Sequence, residues 1–200
     1  MNLQEAIDRL RERTRMPLFV VSVWDETLDE ALQAAPPEEL FEGFTVQNPQ
    51  MGPAVLAGLH LWNDNWEASH NLLQVIKSPT GSYLHGLCHR REGHRGEGLA
   101  SNLANAKYWF RQAGEHPVFD AVYRSALSVL DSGGVGFRWV TEAADQLRAR
   151  RRWDPNTLID WFAQADDGTL SSQTTSILEE IQWREIDLLV DWCAQQAREG

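Results

Sequence analysis

The sequence predicts an all-α fold: a single domain over residues 1–200, an irregular multi-helix bundle of about seven to nine helices. Three observations lead there. Apolar residues recur at steps of three and four along most of the chain, the period of a helix with one buried face. The one stretch with strand-like composition, residues 18–24 (LFVVSVW), has no second strand pattern to pair with and reads as a buried connection. Two hundred residues, 42% of them hydrophobic, supply a core for one domain without disulfide support.

Each element has a local reason. Leu3, Ile7 and Leu10 share a stripe, predicting a first helix over 3–15 that Pro17 stops. A second helix begins near Asp25, Pro36-Pro37 breaks it, and Glu38–Phe44 adds a turn before a loop at Asn48-Pro49. Pro53, suited to a first helical turn, opens a long helix to about Lys77. The run Ser78-Pro79-Thr80-Gly81 ends it, and a further helix covers about Ser82–Glu92. After the glycine-rich loop at 93–98 come helices over Leu99–Ala113 and from His116-Pro117 to about Leu130, closed by Ser132-Gly133-Gly134. Helices near 139–151, 155–165 and 171–197 complete the chain, with Asp154-Pro155 and Ser171-Ser172 as N-terminal caps.

Bulk composition excludes several classes. A net charge of −11 argues against nucleic acid and anionic membranes as partners. The longest apolar run, Pro17–Val23, is too short to span a bilayer, and the charged N-terminus lacks the apolar centre of a secretory signal. Cys88 and Cys193 show no CxxC spacing and fit reduced thiols, so a cytoplasmic location is expected. The Arg148–Arg152 cluster fits a solvated helix end. Walker A, HExxH and nucleophile-elbow patterns are absent, and the 93–98 loop lacks the strand that a phosphate-binding loop requires. Nine Trp residues stand out and suit core packing or an aromatic-lined pocket.

Chemistry concentrates in the segment 53–119, which holds all six histidines, between His60 and His116. On one long helix, His60, Asn63, Glu67, His70 and Gln74 would share a face. On the next, His85, His89 and Glu92 share one as well, and the short connection makes the two helices antiparallel neighbours. Imidazole and carboxylate converging in a bundle are the ligands of a Zn, Mn or Fe site. The single Glu67-x-x-His70, with His89-x-x-Glu92 reversed, does not match the paired motif of dimetal carboxylate bundles.

The strings Ser69-His70, His89-Arg90-Arg91-Glu92-Gly93, Asn105-Ala106-Lys107-Tyr108-Trp109-Phe110-Arg111 and His116-Pro117-Val118-Phe119 resemble the signature of a family of uncharacterised, all-helical bacterial and fungal proteins. The resemblance covers about residues 59–119 and transfers no activity. It implies that the middle segment is one functional unit, in which His94–Leu103 is an extra loop.

The resulting expectation is a metal-dependent helical-bundle enzyme, hydrolase ahead of oxidoreductase, for a small polar or anionic substrate. His70, His85 and His89 are the expected ligands of a divalent Zn, Mn or Fe ion, with Glu67 as fourth ligand or bridge. Glu92 is the expected general base, with Glu67 the other catalytic carboxylate. Arg91 or Lys107 would hold a substrate anion beside Asn105 and Trp109. Asn63, Gln74, Asn105 and His116 would orient these groups. Two other readings stay open: a metal-free module binding a small ligand, and a helical interaction protein with a structural His/Glu network.

Overall fold

Capping and periodicity set where each helix begins, and the computed structural model describes residues 1–13, 15–34, 40–43, 45–133 and 137–199. Ten helices and no strand are found among them. They are α1 (Leu3–Arg11), α2 (Glu26–Ala34), α3 (Met51–Trp62), α4 (Trp66–Leu73) and α5 (Pro79–Glu92), then α6 (Leu99–Ala113), α7 (Phe119–Gly133), α8 (Arg138–Arg150), α9 (Pro155–Asp166) and α10 (Ser172–Glu199). The protein is thus an all-α bundle in one domain. The Pro36-Pro37 break, much of the Glu38–Phe44 turn and Gly134 lie outside the described residues. No helix among the described residues is long and apolar enough to cross a membrane.

The helix expected over residues 53–77 is two helices. Asn63-Asp64-Asn65 interrupts it, with Asp64 at φ 63°, a left-handed conformation that Asp tolerates better than most residues. Asn65 then caps α4, its side chain accepting from the Ala68 amide at 3.0 Å. Ser78-Pro79, expected to end a helix, starts one: the Ser78 hydroxyl accepts from the Gly81 amide at 3.0 Å and Pro79 opens α5. Residues 18–24 form a connection, buried at Leu18 and Val20 but exposed at Val21 and Trp24 rather than buried throughout, and the Val20 amide donates to the Arg91 carbonyl at 2.8 Å.

The core runs through every helix, and α10 lies across it against α3 and α7. Two glycines allow close approach. A Cβ on Gly58 would stand 2.7 Å from Val190 Cγ2 on α10, and one on Gly86 would stand 2.3 Å from the Phe110 ring on α6. The second contact lets α5 and α6 form the most extensive helix pair of the fold.

Three buried cations cross-link this core. Arg91 and Arg13 both donate to the carboxylate of Asp64 in the α3–α4 break. Arg13 also donates to the Trp62 carbonyl at 2.7 Å, and Arg91 to the Pro17 and Leu18 carbonyls, the latter at 3.2 Å. Burial lowers the Arg91 guanidinium to about 10, and Asp64 opposes the shift, so it stays charged at neutral pH. Arg90 is equally buried and donates to Glu185 on α10 at 2.6 Å. Glu185 also accepts from the Tyr83 hydroxyl at 2.5 Å and the Trp153 indole at 2.9 Å.

Candidate metal centre

Two helices bring three imidazoles together. α5 presents His85 and His89 one turn apart, and α4 presents His70 across from them. Their nearest ring nitrogens all lie within 4.8 Å of one another. The His85 and His89 rings stack at 5.0 Å and 16°, while His70 meets them edge-on at 4.9 and 5.2 Å. Indoles close both ends: Trp109 stacks on His85 at 4.0 Å and 8°, and Trp66 on His70 at 5.1 Å and 16°. Trp66 precedes His70 by one helical turn, the spacing that lets the two rings stack.

Hydrogen bonds fix the state of His89. A carboxylate only accepts, so the Glu92 contact at 2.9 Å puts the ring proton on Nδ1 of His89. Nε2 keeps its lone pair, toward which the Asn105 amide of α6 donates at 3.1 Å. The Gln74 amide lies 3.5 Å from Nδ1 of His70. His85 is buried, yet neither of its ring nitrogens has a hydrogen-bond partner among the described residues. Burial and the two neighbouring imidazoles push His85 down to about 3, and burial followed by His89 lowers His70. Both are therefore neutral at physiological pH, the form that binds metal.

The donor set fits a divalent ion. Tetrahedral zinc with Zn–N near 2.05 Å sets its ligands about 3.3 Å apart, so the rings need to close by up to ~1.5 Å. Asn105 must also leave the lone pair of His89. A carboxylate behind a ligating imidazole, as Glu92 stands behind His89, is the usual orienting arrangement in such sites.

Several expected site residues stand elsewhere. Glu67 is exposed and lies outside the histidine group, although it precedes His70 by three residues on the same helix, α4. Arg91 is fully enclosed by Asp64 and two backbone carbonyls and cannot hold a substrate anion. Lys107 pairs with Asp160 at 2.7 Å. Two residues from Asn105 on the same helix, it sits about 200° around from the site. Glu92 is engaged with Nδ1 of His89, a contact that orients the ring.

The remaining polar residues form separate networks. His60 contacts Asp29 at 3.2 Å, and Asn63 donates to the Asp25 carbonyl at 2.9 Å. His94 pairs with Asp166 at 2.6 Å on the surface. His116 bonds to Thr80 at 3.1 Å beneath Trp192. Cys88 and Cys193 are free and buried, and burial pushes both thiols up, which keeps them protonated.

No family model, curated protein or solved structure matches the chain.

Proposed function

We propose that His70, His85 and His89 hold a divalent ion, zinc ahead of manganese or iron, in a helical-bundle hydrolase for a small polar or anionic substrate. The observation that carries this reading is His85: buried, neutral, without a hydrogen-bond partner among the described residues, and grouped with two more imidazoles within 4.8 Å. No protein group among the described residues competes with an ion for the ring nitrogens of His85, and in the neutral ring one of them carries a free lone pair. Three converging imidazoles match the ligand set of catalytic zinc sites, and on that ground we put hydrolysis ahead of oxidation.

A bound ion supplies Lewis acidity toward a water or a substrate oxygen. The chain's own groups bind and orient. Glu92 holds His89 in the ligating tautomer, and Gln74 steadies His70. Asn105, exposed at the mouth, turns its amide to the substrate once it leaves His89, and Trp66 and Trp109 wall the site. The resemblance noted in the sequence agrees with this grouping, since its strings contain His70, His89, Glu92, Asn105 and Trp109.

A metal-free module binding a small ligand is the second reading. It is favoured by the Asn105 contact, which satisfies Nε2 of His89 without any ion. Elemental analysis of untagged protein purified without chelator, beside His70→Ala/His89→Ala, tests the first. Near-stoichiometric Zn, Mn or Fe that is lost in the double variant supports it. No metal in either, even after reconstitution with each ion, overturns it.

A further inference from the structure

A cavity of about 470 Å³ opens on another part of the molecule, between the C-terminal end of α6, the start of α7 and the turn joining α8 to α9. Its volume is that of a small-molecule site. Phe110, His116 and Trp153 form a buried floor, and Phe119 and Pro117 continue the wall. The floor's polar atoms are already engaged. The Trp153 indole donates to Glu185, while His116 contacts Thr80 through Nε2 and accepts from the Val118 amide through Nδ1 at 3.3 Å. What faces the cavity there is aromatic surface.

The rim is charged, and its charges do not balance. Arg152 pairs with Glu115 at 3.3 Å, Arg150 with Asp154 at 3.2 Å, and Arg124 with Asp120. That leaves Arg151, which lines the cavity and has no ion-pair partner among the described residues. It is also one of only two non-glycine residues with positive φ among the described residues, at φ 56° and ψ 19° on the C-cap of α8. Glycine is the residue that fits this position without steric cost. An exposed arginine without an ion-pair partner among the described residues thus stands at the rim of an aromatic cavity, on a backbone conformation that favours glycine.

We infer that this cavity is a second binding site, for a small aromatic carboxylate whose ring lies on the Phe110–Trp153 floor and whose anionic end meets Arg151. The site is independent of the histidine centre. A guanidinium–carboxylate pair at the rim gives charge selectivity, and the floor gives selectivity for planar apolar groups.

The test titrates the full chain with phenylacetate and, separately, with phenylacetamide, its uncharged counterpart, following saturation-transfer NMR of the ligand. Wild type, Arg151→Gly and the charge-matched control Arg148→Gln are compared, and each variant's melting temperature is recorded. Expected are saturable phenylacetate binding, phenylacetamide weaker by about tenfold, and a similar loss in Arg151→Gly but not in Arg148→Gln. Arg151→Gly should melt at or above the wild-type temperature, because glycine relieves the left-handed backbone. Three results each overturn the site: no saturation in wild type, equal binding of the amide, or equal phenylacetate affinity in Arg151→Gly.

Discussion

Acid should unfold this protein in part through His116. Nδ1 of this ring accepts from the Val118 amide, so Nε2 carries the proton shared with Thr80, and both nitrogens are in use only in the neutral form. Tyr83, Phe119 and Trp192 surround it. Burial pushes it down to about 4 from an ordinary 6.5. Below pH 6.5 the unfolded chain takes up a proton that the folded chain refuses, so stability falls as pH falls and the loss levels off below about 4. At pH 5 the His116 share comes to about 2 kcal/mol, and at full extent to about 3 kcal/mol. Urea unfolding of wild type and His116→Asn at pH 7.5 and pH 5 isolates that share as a difference of differences. Asn keeps an acceptor near Val118 and cannot be protonated in this range. Wild type should lose about 2 kcal/mol more than the variant between the two pH values. Equal losses would refute the reasoning.

Other perturbations probe the frame and the centre. Glu185→Leu strands the buried Arg90 guanidinium and should cost about 3–5 kcal/mol or more in urea unfolding; adding Arg90→Met should restore only part of it, because the Tyr83 hydroxyl and Trp153 indole stay without their acceptor. Gly86→Ala drives a methyl into the Phe110 ring and should destabilise by about 1–3 kcal/mol or more. It should also loosen the α5–α6 pair that carries His89 and Asn105. Glu92→Gln should weaken zinc binding by about 10–100-fold in competition titrations with little change in melting temperature, as expected for loss of the carboxylate behind His89.

Helix content was legible because period and caps act locally: Asp154 begins α9 by side-chain capping, while Ser78, which caps α5, reads in the sequence as the end of the helix before it. His85, His89 and Glu92 were legible as one face for the same reason. The break at 63–65 was readable too, since Asn-Asp-Asn favours turns, but apolar periodicity on either side outweighed it. Missing the break puts His60 and Asn63 on the face of His70; Glu67 is placed by its spacing to His70 within α4, and that spacing leaves its side chain in solvent. The position of Lys107, opposite Asn105, followed from helical geometry alone. Nothing local marks Arg90 and Arg91 as buried. Adjacent arginines usually face water, and their partners Asp64 and Glu185 are fixed only by tertiary packing.

The Arg90–Glu185 pair joins residues 95 positions apart, and this separation matters while the chain is being made. Translation at about 5–20 residues per second leaves Arg90 without its counter-ion for ~5–20 s after it is added to the chain. In that interval α5 cannot bury its guanidinium without an unmatched charge, so the helices carrying the histidines stay loosely assembled until α10 emerges. The helix that carries Glu185 thus acts as a latch on the nascent chain.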